Sequence, residues 1–290
     1  MNLTSLTEIK ELLESAGAHP KKQYGQNFLI NKGVLEKIVE SADIKKDDVV
    51  LEVGPGLGVL TKEIAKKAKK VFVVEKDRDM IKVLEKVLDK EKIKNVEIFN
   101  EDVLNLDLEK VGIGNYKLVA NIPYYLTSAL IRKFLEEKKK PEKIILMIQK
   151  EVAQRICKKR KMSLLSLSVQ FYSDPKILFK VLKGSFFPSP KIDSAVIEII
   201  PKTKIQKEEK YFFKFIKAGF SSPRKQLLSN LLKNTDLHIF LDKDLSREYL
   251  ESIFKKINLD KKIRAEDLKE SDWINLINEI TKNLSPQDSL

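Results

Sequence analysis

The chain has 290 residues, enough for one large domain or two smaller ones, and its hydrophobic content of 42% excludes a largely disordered chain. Its 55 basic and 42 acidic residues give a net charge of +13, which favours a polyanionic partner such as nucleic acid or an anionic membrane surface. The longest apolar run spans only residues 144–148, which excludes a transmembrane helix. Cys157 is the single cysteine, which excludes an intramolecular disulfide and a multi-cysteine zinc site.

The first elements along the chain are helical. Residues 4–16 have the pattern of a short amphipathic helix, and the first 20 residues contain acidic side chains and no apolar h-region of a signal peptide. Together with the single cysteine, this predicts a protein of the reducing cytoplasm. Asn31 is expected to cap a second helix that runs to about residue 42.

Short β-rich runs then alternate with helical patterns. The predicted strands cover residues 49–53, 71–75, 96–99, 117–120 and 143–148, and helical periods lie near 58–69, 77–90 and 126–138. This alternation is typical of an α/β fold with a mainly parallel, Rossmann-like sheet that carries helices on both faces. Two further strands, at 177–182 and 195–200, have no clear helix between them, so we expect an antiparallel hairpin at the sheet edge.

Helical patterns replace the strands after Pro201. They cover residues 211–220, 226–232, 247–257 and 265–280. The sequence therefore predicts an α/β domain with an N-terminal extension over residues 1–201 and a small all-α domain over residues 202–290. Trp273 is expected to pack in the core of the helical domain.

The positive charge is concentrated in two stretches. Residues 132–161 hold 12 basic and 4 acidic residues, and residues 202–233 hold 9 basic and 2 acidic residues, whereas residues 234–290 are net acidic. One interpretation is a solvated lysine-rich face. The other is a surface that follows phosphates, whose binding weakens as salt rises.

A glycine-rich loop joins the first strand to the next helix. It has the sequence Glu52-Val53-Gly54-Pro55-Gly56-Leu57-Gly58, in which Gly54 and Gly56 let the backbone turn tightly and approach a ligand. Glu75 ends the second strand, where a carboxylate can accept hydrogen bonds from ribose hydroxyls. Because the spacing is G-x-G-x-G and not the dinucleotide G-x-G-x-x-G, it favours an adenosyl ligand other than NAD.

The next two strands also end in polar side chains. Asp102 either caps a helix or accepts a hydrogen bond from the exocyclic amine of the cofactor's adenine. The fourth strand leads into Asn121-Ile122-Pro123-Tyr124. There an amide oxygen and a backbone carbonyl can accept both protons of a planar amine, Pro123 rigidifies the turn, and Tyr124 offers a flat face to a base. Holding the amine in this way orients its lone pair towards an electrophilic methyl group, so the tetrapeptide indicates amine methylation.

These motifs resemble the small-subunit rRNA adenine N6-dimethyltransferases of the KsgA (RsmA) type over nearly the whole chain. The shared blocks are Gln26-Asn27-Phe28-Leu29, Glu52-Val53-Gly54-Pro55-Gly56, Val74-Glu75-Lys76-Asp77, Glu101-Asp102-Val103, Asn121-Ile122-Pro123-Tyr124 and Phe186-Phe187-Pro188-Ser189-Pro190-Lys191-Ile192-Asp193-Ser194. The resemblance implies an S-adenosylmethionine-dependent enzyme that dimethylates two adjacent adenosines near the 3′ end of 16S rRNA in the small ribosomal subunit. It also implies a role in 30S subunit biogenesis and a reaction that requires no metal.

The resemblance also implies a set of site residues. The cofactor-binding residues would be Asn27, Leu29, Gly54, Gly56, Glu75, Asp102 and Asn121. The catalytic residues would be Asn121, Pro123, Tyr124 and Phe186, with Phe186 preferred to Phe187 for stacking on a flipped adenine. In the helical domain, which would dock on rRNA, Arg224 and Lys225 would contact phosphates, although Pro223 stands where the family often has a further basic residue. Lys150 and Arg155 are further candidates for which a solvated helix face is an equal alternative.

Three alternatives use the same fold. Large-subunit (23S) rRNA adenine methyltransferases of the macrolide-resistance type share the Asn-Ile-Pro-Tyr chemistry but are typically shorter at the C-terminus. A non-catalytic nucleic-acid-binding factor is disfavoured by the intact glycine loop, Glu75 and Asn121. A DNA adenine methyltransferase would have the same active-site chemistry. Because no coiled coil or exposed apolar stripe is indicated, we expect a monomer.

Overall fold

The computed structural model describes residues 1–202, 209–242 and 245–282. Contacts divide the chain into two units, the first made of Met1–Gln154 and Ser173–Pro201, the second of Arg155–Tyr172 and the residues from Lys202 onward. This division differs from a single boundary at residue 201, because residues 155–172 join the second unit. Aromatic packing explains the difference: the ring of Phe171 stacks on that of Phe212 with a centroid distance of 4.0 Å.

The strands belong to the first unit. They are β1 (Phe28–Leu29), β2 (Val49–Val53), β3 (Lys70–Glu75), β4 (Val96–Asn100), β5 (Lys117–Asn121), β6 (Lys143–Gln149), β7 (Ser173–Val181), β8 (Phe186–Phe187) and β9 (Ser194–Pro201). Within the described residues, seven of them form one sheet in the order β4-β3-β2-β5-β6-β9-β7, and β1 pairs with β8 separately. Strands β2 to β6 pair in parallel, whereas β9 and β7 are antiparallel. The predicted sheet and its edge hairpin are confirmed.

The helices of the first unit are α1 (Leu6–Ser15), α2 (Lys32–Ser41), α3 (Val59–Ala65), α4 (Arg78–Glu91), α5 (Leu108–Val111), α6 (Thr127–Glu136) and most of α7 (Lys150–Cys157). The second unit contains α8 (Leu164–Tyr172), α9 (Glu209–Gly219), α10 (Leu227–Leu232), α11 (Thr235–Leu241), α12 (Arg247–Lys256) and α13 (Glu270–Thr281). Helices α5, α7, α8 and α11 were not predicted. Most residues of α8 are buried, so no polar stripe marks its period, and α5 spans only four residues.

Side-chain caps fix the starts of α2 and α4 in the first unit. Asn31 caps α2 as predicted, since its Oδ1 accepts the Val34 N–H at 3.1 Å. Asp77 caps α4 in the same way and accepts the Asp79 N–H at 3.1 Å. Each cap therefore sets the residue at which the chain enters its helix.

Parallel pairing brings the carboxyl ends of neighbouring strands to one edge of the sheet. Val53 of β2 pairs with Val74 of β3, and Val50 pairs with Lys117 at the start of β5. The loops that follow β2, β3, β4 and β5 therefore open on the same edge. The glycine loop, Glu75, Asp102 and Asn121 were predicted to lie at this edge.

The interior of each unit is apolar. In the first unit, Val50, Val71 and Leu118 are fully buried, and the near-continuous apolar strands fit a sheet that is covered on both faces. In the second unit, Trp273 is fully buried, as predicted. Across residues 1–202, 209–242 and 245–282, the structure contains no helix with the length and apolar character to cross a membrane.

A substitution at Gly58 tests how closely the glycine loop packs on α4. It has a φ of +79°, and a Cβ placed on it would lie 2.5 Å from Cδ1 of the fully buried Leu84. We expect Gly58→Ala to lower the free energy of unfolding by about 2–4 kcal/mol, because backbone strain and overpacking add. Urea unfolding followed by circular dichroism measures this loss.

Gly112→Ala is the matched control. Gly112 has a φ of +72°, and its added Cβ would have no neighbouring atom within 4 Å. This variant carries the backbone strain alone, so we expect a loss of about 1 kcal/mol. Equal losses in the two variants would contradict the packing explanation.

Candidate active site

One pocket opens at the carboxyl edge of the parallel strands in the first unit. Its lining includes every residue that the sequence proposed for the cofactor and for catalysis: Asn27, Leu29, Gly54, Gly56, Glu75, Asp102, Asn121, Pro123, Tyr124 and Phe186. These residues come from separate segments that the fold brings together. Phe187, the less favoured stacking candidate, is not part of the lining.

The glycine loop forms one wall of the pocket. Gly54 has a φ of +66° and donates its N–H to the Val74 carbonyl at 2.9 Å, which ties the loop to β3. Gly56 has a φ of +55°, and a Cβ placed on it would lie 3.1 Å from two ring carbons of Phe28. A positive φ and a close ring both favour glycine here. The loop therefore presents bare backbone to the pocket.

Glu75 is the last residue of β3. Its Oε1 accepts the Asp77 N–H at 2.8 Å. Burial raises the pKa of Glu75, and the Asp77 N–H partly opposes this shift. The carboxylate is thus fixed in place by backbone and retains lone pairs that can accept hydrogen bonds from the two hydroxyls of a ribose.

Asp102 caps the turn after β4. Its Oδ1 accepts the Leu104 N–H at 3.0 Å, and its Oδ2 pairs with Lys76 Nζ at 2.9 Å. The hydrogen bond from Lys76 is the main reason that the pKa of Asp102 lies below its usual value. Its contacts are those of a turn cap, and its place in the pocket lining is compatible with a further hydrogen bond to adenine.

Asn121 is the last residue of β5, and one contact orients its amide. Its Nδ2 donates to the carbonyl oxygen of Asn27 at 3.3 Å. With the NH2 group committed to this carbonyl, Oδ1 is the side-chain atom that can accept a hydrogen bond from a substrate amine. The orientation is the one that amine binding requires.

Tyr124 follows Pro123 and begins a 3-10 helix, Tyr124–Leu126. Its hydroxyl shares a hydrogen bond with Ser194 Oγ at 2.8 Å, and Ser194 is fully buried. Burial raises the pKa of Tyr124, so the phenol stays neutral at physiological pH. The hydroxyl therefore anchors the ring, whose face is left for a base.

The short β1–β8 pair joins two parts of the pocket. It sets Phe186 opposite Leu29 in an antiparallel register. Phe186 is 4% exposed and lines the pocket. A strand of two residues has no measurable periodicity, which is why this pairing could not be predicted.

Glu52 is a pocket residue that had no predicted role. It is 1% exposed, and its Oε2 has no hydrogen-bond partner among the described residues. Burial raises the pKa of Glu52 to about 8. The neighbouring Thr61 hydroxyl partly opposes this shift, and the Glu75 charge adds a smaller increase. A buried carboxyl oxygen without a partner can accept a hydrogen bond from a ligand that carries positive charge. The feature of the sequence that could have indicated a role for Glu52 is that it is an acidic residue inside an otherwise apolar strand.

The four basic residues predicted to bind RNA lie outside this pocket. Lys150 begins α7 in the first unit and is half-buried, whereas the exposed Arg155 belongs to the second unit. Arg224 and Lys225 lie in an exposed turn between α9 and α10. Neither of these two forms a salt bridge with another described residue, so both side chains can reach phosphates.

Comparison with known proteins identifies the family of the chain. The family model for ribosomal RNA adenine dimethylases matches residues 17–282. The chain belongs to the ribosomal RNA adenine dimethylase family. A ribosomal RNA small subunit methyltransferase A from Dehalococcoides mccartyi is 41% identical over 96% of this chain and 94% of its own length. Its counterpart from Clostridioides difficile is 38% identical over 98% of both chains.

Solved structures show the same fold. A dimethyladenosine transferase from Plasmodium falciparum aligns with a TM-score of 0.76 and 28% identity over 88% of this chain and 98% of its own. The 23S rRNA methyltransferase ErmE aligns with a TM-score of 0.67 and 24% identity over 87% of this chain and 98% of its own, which supports the fold alone.

As a member of this family, the dimethylase is an S-adenosylmethionine-dependent rRNA adenine dimethyltransferase. The pocket fits that cofactor. S-adenosylmethionine carries a sulfonium and an ammonium group, and the buried Glu52 and the half-buried Glu75 place two acidic side chains on the adjacent strands β2 and β3. The partnerless oxygen of Glu52 in particular matches a cationic donor of hydrogen bonds.

The raised pKa of Glu52 predicts a pH-dependent stability. Between its ordinary value of 4.5 and about 8, the folded chain holds a proton on Glu52 that the unfolded chain has lost. This group therefore lowers the free energy of unfolding by up to about 1.4 kcal/mol for each pH unit over that window. Since glutamine does not ionise, we expect Glu52→Gln to gain stability over the wild type as pH rises from 5 to 8.

Urea unfolding at several pH values, without cofactor, measures this difference. Glu85→Gln, an exposed site on α4, is the control and should differ from the wild type by the same amount at every pH. A constant difference for Glu52→Gln would show that Glu52 is ionised in the folded chain.

Proposed function

We propose that this dimethylase transfers methyl groups from S-adenosylmethionine to the N6 amines of two adjacent adenosines near the 3′ end of 16S rRNA in the small ribosomal subunit. The names of the full-length relatives support the small subunit as the substrate. The observation that carries the proposal is the Asn121 amide, which is anchored on Asn27 inside the pocket that also contains Glu75 and the glycine loop.

The cofactor would lie along the carboxyl ends of β2, β3 and β4. Glu75 would accept the ribose hydroxyls, and Asp102 would accept from the adenine amine. Gly54 and Gly56 would let the backbone approach the methionine part, while Asn27 and Leu29 would close the pocket from the N-terminal side. Glu52 would accept hydrogen bonds from the ammonium group. When bound there, the cofactor supplies a methyl group on a positively charged sulfur.

The target adenine would lie between Tyr124 and Phe186. Its N6 amine would donate to Asn121 Oδ1 and to a backbone carbonyl in the Asn-Ile-Pro-Tyr turn. Two such acceptors turn the nitrogen lone pair out of conjugation with the ring and towards the methyl group. Because no covalent intermediate is needed, alignment of the reacting atoms supplies most of the acceleration.

A large-subunit substrate is the main competing proposal. It would be shared with ErmE, whose likeness at 24% identity reaches only the fold. The relatives at 36–41% identity, matched over at least nine-tenths of this chain, carry small-subunit names. The small subunit is therefore the substrate that the comparisons favour.

The second unit would dock the enzyme on rRNA. Arg224 and Lys225 would contact phosphates from their exposed turn. Arg155 of the same unit and Lys150 of the first unit are further candidates for phosphate contacts. We propose a monomer that acts on cytoplasmic small subunits. By occupying an immature 30S subunit it would also take part in subunit biogenesis.

Methyl transfer from labelled S-adenosylmethionine to small subunits that lack adenine dimethylation tests the proposed function. We expect label on two adjacent adenines near the 3′ end of 16S rRNA. Asn121→Ala should lower the rate at least about a hundredfold, because the amine loses an acceptor in a site that works by alignment. Asn115→Ala, an exposed asparagine in the loop before β5, should leave the rate unchanged.

Large subunits, naked rRNA and duplex DNA in parallel reactions separate the alternatives. Label on large-subunit rRNA would assign the chain to the resistance type, and label on duplex DNA would make it a DNA methyltransferase. RNA binding without label on any substrate would identify a non-catalytic factor.

The docking proposal predicts a salt dependence. For the double variant Arg224→Ala/Lys225→Ala we expect weaker binding to small subunits and a slope of log K against log salt that is shallower by about 1–2. Filter binding over a salt series measures the slope. Lys255→Ala/Lys262→Ala is the control, since both lysines are exposed and lie in the net acidic segment 234–290. Equal slopes for the two double variants would refute phosphate contacts at Arg224 and Lys225.

A further inference from the structure

Residues 21–27, which we call the strap, are bound to a buried aspartate at the start of α4. Asp77 Oδ1 accepts from Lys21 Nζ at 2.7 Å, and Asp77 Oδ2 accepts from Gln26 Nε2 at 2.8 Å. Gln26 Oε1 in turn accepts the Lys21 N–H at 2.7 Å, so a hydrogen bond within the strap joins its two ends. Asp77 is 3% exposed.

The Lys21 ammonium group bridges two carboxylates, one of them buried. Lys21 Nζ also pairs with Asp79 Oδ2 at 2.7 Å, and the hydrogen bonds to Asp77 and Asp79 raise the pKa of Lys21 well above its usual value. Lys21 therefore stays charged at any working pH. Loss of its ammonium group would leave the buried Asp77 carboxylate without its counter-charge.

The far end of the strap reaches the acceptor site. The Asn27 carbonyl accepts Asn121 Nδ2, and the Asn27 side chain donates to the Gly25 carbonyl at 3.0 Å. A Cβ on Gly25 would lie 3.5 Å from Pro123 Cβ, so the strap backbone packs directly on the Asn-Ile-Pro-Tyr turn. The position of the Asn27 carbonyl thus depends on how the strap is held.

Asp77 also contacts the cofactor side of the pocket. Its N–H donates to Glu75 Oε1, while its carboxylate holds Lys21 and Gln26. A continuous series of hydrogen bonds and packed backbone therefore runs from Glu75 through Asp77 and the strap to Asn121.

We propose that Lys21, Gln26 and Asp77 are positioning residues for methyl transfer, which act by holding the Asn27 carbonyl where it orients the Asn121 amide. An asparagine amide has two orientations that differ by exchange of oxygen and nitrogen. Only the one with Nδ2 on Asn27 presents Oδ1 to the N6 amine. This inference rests on the proposed function of Asn121. It adds Lys21 and Asp77, which lie outside the pocket lining, and Gln26, whose side chain holds Asp77 and the Lys21 N–H.

Lys21→Met tests the proposal from the strap, and Asp77→Asn tests it from α4. Asparagine caps a helix as well as aspartate does, so Asp77→Asn removes the charge and leaves the start of α4 intact. We expect each variant to lower kcat on undermethylated small subunits about ten- to hundredfold, with KM for the subunit and the dissociation constant for S-adenosylmethionine changed less than about threefold. Calorimetry measures the cofactor affinity independently of activity.

Two further variants serve as controls. Lys21→Arg can still bridge Asp77 and Asp79, so we expect it to retain kcat within about threefold of the wild type. Asp89→Asn removes an equal charge from an exposed site on the same helix and should have no effect on kcat. Thermal unfolding of all the variants confirms that they are folded.

A double variant decides whether the strap acts through Asn121. In single-turnover reactions with enzyme in excess, Lys21→Met should lower the wild-type rate about tenfold or more and change the residual rate of Asn121→Ala less than about twofold. A multiplied loss in the double variant would overturn the proposal, as would an unchanged kcat in Lys21→Met or a loss of kcat that parallels a loss of cofactor affinity. Failure of the proposed function itself would appear differently, as no adenine methylation by the wild type.

Discussion

The parallel register of β3, β2 and β5 is the constraint on which the site depends. It aligns the carboxyl ends of these strands, so that the glycine loop, Glu75 and Asn121 open on one pocket although they are far apart in the chain. A slip of one residue in any of these strands would turn its alternate side chains to the opposite face. Because Glu75 and Asn121 are the last residues of β3 and β5, such a slip would turn these two side chains away from the pocket.

Charge is divided between the pocket and the rest of the chain. The chain carries a net charge of +13, yet its pocket contains the acidic side chains of Glu52, Glu75 and Asp102. Buried carboxylates suit a cationic cofactor, and a positive surface suits the phosphates of rRNA. The two requirements do not conflict, because the acidic pocket residues lie in or directly after strands β2, β3 and β4, whereas the basic residues are concentrated in residues 132–161 and 202–233.

Much of the sheet and most of the pocket could be predicted from the sequence, because strand–helix alternation and glycine motifs are local signals. The β1–β8 pair, the buried helix α8 and its grouping with the second unit depend on tertiary packing, which leaves no period in the sequence. Glu52 was visible as an acid in an apolar strand, but its missing partner is a three-dimensional property. The contacts of Asp77 with Lys21 and Gln26 join residues more than 50 positions apart and could not be inferred from spacing.

A crystal structure with S-adenosylhomocysteine and a short RNA that contains two adjacent adenosines tests the central claim most directly. We expect one adenine between Tyr124 and Phe186, with its N6 within about 3.2 Å of Asn121 Oδ1 and with Asn121 Nδ2 still on the Asn27 carbonyl. An adenine N6 that lies beyond hydrogen-bond distance of Asn121, or an amide turned so that nitrogen faces the base, would contradict the assignment of Asn121 as the acceptor for the methylated amine.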